Sequence, residues 1–411
     1  MARRILNVFL KDALVGQLEQ DDSGATCFEY DRAWLESPEA VALSASLPLR
    51  KERFRRNETR PFFAGVLPEE ESRRLIAKTF GVSDKNDFAL LARIGAECAG
   101  AVSLLPLGEL PVADKPHYRE ISSEELAGRL LELPRHPLMA GEKGIRLSLA
   151  GAQGKLALRI SEGRFYLPLD GSPSNSIIKP QSSHFEGLVD NEFFCLRLAS
   201  QAGLEAARVE IGMADGIRFL QVERYDRRAL PGSRIERLHQ EDFCQALGIV
   251  PELKYQQEGG PNLKRCFELI RSVSSIPGPD LLRLFDAVVF NYLIGNCDAH
   301  GKNFSFLREG SFVRLAPLYD LVSTQAYPDL SNQMAMKIGG ERKPQKLLVG
   351  NWQGFFKEAG MGQAVAQQRL RATATRVVRA AEELQGCEGA EKILPIIRAN
   401  HQRLESLRWE G

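Results

Sequence analysis

The sequence predicts an α+β chain whose first half carries strands and whose second half is helical. Three observations predict it. Up to Asp226, apolar residues alternate with polar ones in several short runs. From His239 onward they recur at helical spacing. Within that helical half, the apolar run Leu281 to Ile294 delivers a polar cluster, Asp298, His300, Lys302 and Asn303, that no core would hold. Asp298 and Asn303 have the D-x-x-x-x-N spacing of the protein-kinase catalytic loop, where the Asp accepts the substrate hydroxyl's proton and the Asn holds magnesium. Further on, Ala316-Pro-Leu-Tyr-Asp320 ends an apolar run with a carboxylate, where kinases place a second magnesium ligand. A helix C-cap followed by a polar turn would account for either cluster alone. It accounts less well for both in this order.

The bulk composition excludes several classes. With 411 residues, 44% hydrophobic and 26% charged, the chain reads as a globular protein of two or three domains. Its 54 Lys and Arg nearly cancel 53 Asp and Glu, so net charge gives no reason to expect autonomous nucleic-acid binding. Seven cysteines without a C-x-x-C pair fit buried thiols in a reducing cytoplasm better than disulfides or zinc. The apolar run Ile5 to Leu10 is too short for a signal peptide, and no stretch approaches the length of a membrane span. The expected location is cytoplasmic, with no membrane partner.

Taken in order, Ile5 to Leu10 and Ala13 to Gln17 read as a hairpin, and Cys27 to Tyr30 as a further strand. Leu43 to Leu49 is extended, because Pro48 excludes a helix. Arg50 to Arg60, rich in Lys and Arg, reads as a solvated loop. Glu69 to Phe80 and Asp84 to Ile94 are amphipathic helices, and Ala99 to Leu107 returns to strand. Ile145, Leu147 and Leu149 alternate with Arg146 and Ser148, which predicts a half-buried strand with Ser148 facing solvent. Gly151 to Gly154 then turns into a returning strand over Leu156 to Ile160, flanked by Lys155. Such a glycine hairpin beside a lysine can lay backbone N–H groups on phosphates. It is not a Walker A loop, because Leu149 and Leu156 stand where Gly and Ser or Thr belong.

Ser176 to Pro180 places Lys179 at the end of a short strand, and a helix from Asn191 to Ala202 follows with Glu192 in its first turn. Strand lysine followed by helix glutamate is the order that orients phosphates in kinases. Phe219 to Asp226 is a strand ending in charges, where a two-lobed kinase has its hinge and its backbone meets adenine near Glu223 to Tyr225. Glu241 to Leu247, Leu263 to Val273, Leu281 to Ile294, Gly362 to Glu383 and Ile393 to Leu407 are the helices of the second half.

These residues resemble the HipA family of bacterial toxin kinases over nearly the full length. The carrying stretches are Ser148-Leu-Ala-Gly-Ala-Gln-Gly-Lys155, Ile177-Ile-Lys-Pro180, Asn191-Glu-Phe-Phe194, Val222-Glu-Arg-Tyr-Asp-Arg227, His239 to Gly248, Lys254 to Pro261, Gly295 to Phe304 and Leu318-Tyr-Asp320. The resemblance implies an α+β, two-lobed, protein-kinase-like fold. A HipA-type N-terminal subdomain over 1–137 would precede the nucleotide-binding part of a β-rich lobe over 138–226. A helical lobe over 227–411 would follow, with the nucleotide held between the lobes.

It further implies a serine/threonine protein kinase using ATP and Mg2+. Asp298 would be the catalytic base, and Asn303 and Asp320 the metal ligands. Ala150, Gly151, Ala152, Gln153, Gly154, Lys155, Lys179, His300 and Lys302 would surround the phosphates, and Glu223, Arg224 and Tyr225 the adenine. Family members phosphorylate components of translation such as aminoacyl-tRNA synthetases. A HipB-like helix-turn-helix antitoxin neutralises them and carries them to operator DNA. The serine matching Ser148 is autophosphorylated, which switches the kinase off. Gly154 departs from the family's usual Glu and should make the phosphate loop more mobile. Two other classes compete with an active protein kinase: a kinase-fold corepressor that holds an antitoxin, and a small-molecule kinase. Intact Asp298, Asn303 and Asp320 favour the enzyme.

Overall fold

The computed structural model describes residues 4–112, 116–151, 153–182 and 184–409, and at Ser233 the backbone alone. Two compact units make up the chain. Unit 1 comprises Met1–Pro180, Gly212–Pro251 and Leu307–Phe312; unit 2 comprises Gln181–Ile211, Glu252–Phe306 and Val313–Gly411.

Unit 1 opens with the expected hairpin, β1 (Arg4–Leu10) and β2 (Ala13–Gln20), followed by β3 (Thr26–Tyr30) and a short α1 (Arg32–Glu36). Next come α2 (Arg56–Gly65), α3 (Glu70–Phe80), α4 (Asp87–Ile94) and β4 (Val102–Pro106), which pairs with β1 to complete the order β3-β2-β1-β4. The basic stretch expected to be a loop is helical from Arg56. Glu58 receives the Arg55 backbone N–H at 2.9 Å and the Arg50 guanidinium at 2.7 Å, which fixes the helix start.

β5 (His117–Ile121) and α5 (Ser123–Glu132) lead to a second sheet with β6 (Leu156–Ser161), β7 (Arg164–Leu169) and β8 (Ser176–Pro180). The chain then contributes α6 (Leu188–Gln201) to unit 2 before β9 (Val209–Ala214) and β10 (Ile217–Glu223) close the order β5-β7-β6-β8-β10-β9. The pair β11 (Arg227–Leu230) and β12 (Arg234–Arg237), then β13 (His239–Asp242) and α7 (Phe243–Ala246), complete the unit. Glu241 to Leu247 is therefore a strand followed by one helical turn. The turn starts at Asp242, whose carboxylate accepts the Gln245 N–H at 2.8 Å.

One buried cluster runs through both sheets, with Leu6, Val8, Phe28 and Leu104 from the first and Leu156, Leu158 and Ile178 from the second. The expected boundary at residue 137 is thus no break in packing. The expected change near 226 is replaced by an exchange in which α6 joins the helical unit and residues 227–251 join the strand-bearing one.

Residues 145–149 form no strand. Leu147 makes an isolated parallel bridge to Glu97, and Ile145, Leu147, Ser148 and Leu149 are all buried. The alternation misled because the face assigned to solvent is covered as well: the Ser148 hydroxyl packs against the Val66 carbonyl. β6 pairs with β7 and β8, so no hairpin joins it to 145–149.

Unit 2 is helical: α8 (Leu263–Val273), α9 (Pro277–Ile294), α10 (Val349–Glu358), α11 (Gln363–Glu383) and α12 (Ala390–Glu405). α9 is apolar on nearly every side and forms the axis, burying Leu284, Phe285, Val289, Phe290 and Leu293. Phe285 stacks on Phe355 of α10 at 4.8 Å, and Tyr292 meets Trp352 edge-on at 5.2 Å. Asp286 fixes α11 through Arg369, Arg376 and Thr373. Asn400 of α12 donates to the Tyr292 carbonyl at 3.0 Å. Among the described residues no helix is long and apolar enough to cross a membrane.

Candidate active site

The end of α9 sets the candidate catalytic loop. Gly295 takes φ 71° and caps the helix with its N–H on the Tyr292 carbonyl. A Cβ there would also lie 2.7 Å from the Gln325 amide oxygen, which would have to shift. Asn296 then orients the turn. Its amide donates to Asn291 Oδ1 at 2.8 Å and its oxygen accepts the Asp298 N–H at 3.0 Å. The Cys297 N–H donates to the Thr324 hydroxyl at 2.8 Å, and burial pushes the Cys297 thiol up, leaving it neutral beside Asp298.

Asp298 is exposed, while Cys297 before it and His300 to Asn303 after it are buried. The Tyr255 hydroxyl donates to its Oδ1 at 2.9 Å. Its backbone carbonyl accepts from the His300 N–H at 2.7 Å and from the Asn303 amide at 3.1 Å. The D-x-x-x-x-N spacing thus closes into one turn, with Asn303 held against the backbone of Asp298. His300 and Lys302 are buried in it, and the His300 ring lies edge-on to Tyr255 at 5.2 Å. The short helical turn Gly301–Asn303 carries this segment, and Gly301 is not left-handed.

Asp320 follows an extended segment that runs beside the same loop. The Ala316 N–H donates to the Ser305 carbonyl at 2.8 Å, and the Tyr319 hydroxyl donates to the Lys302 carbonyl at 2.6 Å. Residues neighbouring Asp320 and Asn303 are therefore tied together. Asp320 itself has φ 54°, a left-handed conformation uncommon outside glycine and frequent at functional positions. Asn191 of α6 fixes the following turn, donating to the Ser323 carbonyl at 3.0 Å and accepting its N–H at 2.7 Å.

No group of three or more His, Cys, Asp or Glu suited to a metal occurs among the described residues. Magnesium at a nucleotide needs only one or two protein carboxylates, with phosphates and water completing its shell. Asn303 and Asp320 fit that demand.

The candidate phosphate and adenine residues lie in unit 1. Ala150, Gly151, Gln153 and Gly154 are half-buried, and Ala152 falls outside the described residues. The Lys155 ammonium donates to the Ala150 carbonyl at 2.6 Å, closing the loop on itself. At Gly154 an added Cβ would meet only Leu133 at 3.8 Å, so sterics do not require glycine there. Ser148 is fully buried, its hydroxyl donating to the Val66 carbonyl at 2.8 Å. It does not face solvent as the alternation suggested.

Lys179 is buried in β8 opposite Leu220. Glu192 is buried in the second turn of α6, because that helix starts at Leu188 rather than Asn191. Glu223 is exposed and the Tyr225 hydroxyl meets Gln240. The Arg224 side chain turns inward to Glu97 at 3.0 Å and Asp226 at 2.8 Å, which gives it a structural role. Sequence reasoning missed Asn296, Thr324 and Asn191 as positioning groups. It noticed Tyr255 only inside a longer motif.

Two family models match the chain: the HipA N-terminal domain over residues 6–105 and the HipA-like C-terminal domain over residues 147–384. The chain belongs to the HipA family. Every candidate residue named above lies within the second HipA match. The protein Y4mE of Sinorhizobium fredii is 48% identical over 391 residues, 93% of each chain. The serine/threonine-protein kinase toxin HipA of Shewanella oneidensis is 32% identical over 392 residues, 92% of this chain and 89% of that one. The fold matches a solved structure of the Shewanella oneidensis HipA, HipB and operator DNA complex with a TM-score of 0.85 at 30% identity. That match covers 98% of this chain and 97% of the other. The architecture is the α+β HipA kinase fold.

Proposed function

We propose that this chain is a serine/threonine protein kinase dependent on ATP and magnesium, acting as the toxin of a toxin–antitoxin pair. The observation that carries this is the turn joining Asp298 to Asn303, with an exposed carboxylate braced by Tyr255 and Asp320's segment tied alongside. Asp298 would accept the proton of a substrate hydroxyl, and Asn303 and Asp320 would hold magnesium. Bound magnesium would neutralise charge developing on the transferred phosphoryl group. Lys155 and Lys179 would meet phosphates, as buried or loop-held lysines suit point-charge contacts.

A protein of the translation machinery, such as an aminoacyl-tRNA synthetase, is the substrate class the family suggests. A HipB-like antitoxin is supported by the complex solved for the Shewanella oneidensis protein. Operator binding should require it. A shift of operator DNA by this chain alone at physiological salt would contradict that.

Ser148 would be the autophosphorylation site. Its hydroxyl is buried against Val66, so phosphate can reach it only after residues 148–155 leave this position. A phosphate adds about −1.5 to −2 charge and has no room to return, so modification would hold the loop out. Peptide mass spectrometry after incubation with Mg-ATP should find phosphate on Ser148; an active protein unmodified there removes the assignment.

Asp320→Ala tests the metal assignment. The variant should require on the order of tenfold more magnesium for half-maximal phosphotransfer, from losing one charged ligand. An unchanged magnesium titration takes Asp320 out of the site.

A further inference from the structure

A groove of about 400 Å3 lies in unit 2, lined by Gln256, Gln257, Lys337, Gly340, Glu341 and Arg342. One wall is fastened to the candidate base and the other to the residue before it. Gln256 follows Tyr255, whose hydroxyl donates to Asp298. The opposite wall is hooked at Ala335, whose N–H donates to the carbonyl of Cys297, the residue before Asp298, at 2.7 Å. The walls are also joined to each other, with the Lys337 N–H on Gln256 Oε1 at 2.7 Å and the Arg342 guanidinium on Gln257 Oε1 at 2.8 Å.

The groove carries two cations against one carboxylate, a net positive charge. Lys337 and Arg342 are its cations, and Arg342 is held in place by Gln257 rather than left to move. Its one acid, Glu341, is turned into its own loop and accepts the N–H groups of Arg342 and Lys343 at 2.8 Å each. Those amides, Lys343's first, hold the Glu341 carboxyl below its ordinary range. Lys343 and Lys346 follow directly in the chain. Two glutamine amides can pair with a peptide backbone, and no aromatic ring lines the groove among the described residues to stack on a base. This favours a peptide over a nucleic acid.

We infer, on the kinase reading given above, that this groove is a docking subsite for an acidic segment flanking the phosphoacceptor hydroxyl of the protein substrate. Carboxylates would pair with Arg342 and Lys337 while the hydroxyl comes to Asp298. Substrates carrying Asp or Glu near the acceptor would be preferred over neutral ones.

The test measures fluorescence anisotropy of a labelled Glu-rich decapeptide with the full chain, beside its Gln counterpart and a single-stranded RNA oligonucleotide. The Glu peptide should bind, weaken with added salt, and bind better than the other two. The double variant Lys337→Glu/Arg342→Glu should weaken it on the order of a hundredfold, about tenfold for each charge-assisted contact. Both side chains are partly exposed, so thermal unfolding should stay near wild type, and the milder Lys337→Gln/Arg342→Gln pair should show a smaller loss in the same direction. Equal binding of Glu and Gln peptides, no Glu-peptide binding, preference for the RNA, or indifference to both double variants would overturn the inference. Peptide binding does not need phosphotransfer and should persist in Asp298→Asn. Retained binding in a wild-type chain without kinase activity would therefore overturn the kinase reading and leave the acidic-segment groove standing.

Discussion

Asp298→Asn should remove phosphotransfer while leaving the fold and nucleotide affinity in place. The amide keeps the size of the carboxylate, and the neighbouring contacts that position residue 298 are made to its backbone by Asn296, His300 and Asn303. The side chain itself accepts from the Tyr255 hydroxyl, which an amide oxygen can also do. What is lost is the group that, on the proposed reading, would orient the attacking hydroxyl and take its proton. General-base loss costs about a hundredfold to ten-thousandfold in rate. Ser148 should carry no phosphate in this variant. Thermal unfolding should be unchanged, because Asp298 is exposed and bears none of the core.

Glu97→Ala should be the most destabilising single change in unit 1. Glu97, Arg224, Asp226 and Arg227 are all buried and form one ion-pair network. Glu97 also receives the Ser174 hydroxyl, and its backbone carbonyl accepts the Ser148 N–H at 2.8 Å. Removing one partner of such a network leaves buried guanidinium charge uncompensated, which costs about 3–5 kcal/mol. Stability of a whole domain is only about 5–15 kcal/mol, so denaturant unfolding should show the loss directly. The exposed pair of Arg32 and Glu36 is the contrast: Glu36→Ala should change stability by less than about 0.5 kcal/mol. A Glu97→Ala protein within about 1 kcal/mol of wild type would show that the network does not hold the unit together.

The network also has a pH signature. Burial works against the charge on Glu97 and Asp226, but the adjacent guanidinium groups, Arg224 foremost, outweigh it and hold both carboxyls below their ordinary range. Carboxyls depressed in the folded state contribute stability above the ordinary value of about 4, which is lost as pH falls below it. Unit 1 should therefore weaken on acidification below about pH 4, and Glu97→Ala should lessen that dependence.

The candidate catalytic turn was legible because its pattern is local: Asp298 and Asn303 lie within one turn, and a hydrophobic helix delivers them. Asp320, the candidate second magnesium ligand, stood out for the same reason, as a carboxylate ending an apolar run. Support for these groups was not. Tyr255 reaches Asp298 across 43 residues of sequence, and no periodicity marks such a contact. Arg224 looked like a charge at a strand end, yet its partner Glu97 lies 127 residues away. Ser148 shows how alternation misleads, since a pattern of period two assumes that one face meets water. Here the second face is covered too, with the Ser148 hydroxyl against the Val66 carbonyl. The exchange of α6 and residues 227–251 between units is likewise a property of tertiary contacts, which composition along the chain does not carry.

If Asp298, Asn303 and Asp320 make this chain a protein kinase, it should move phosphate from ATP to protein. The most direct test is transfer of labelled γ-phosphate from ATP to protein in a cell extract, with wild-type chain, with Asp298→Asn, and with magnesium chelated. A labelled protein band should appear that requires magnesium and disappears with Asp298→Asn. Labelling by wild type no greater than by the variant, or labelling that survives chelation, would contradict it.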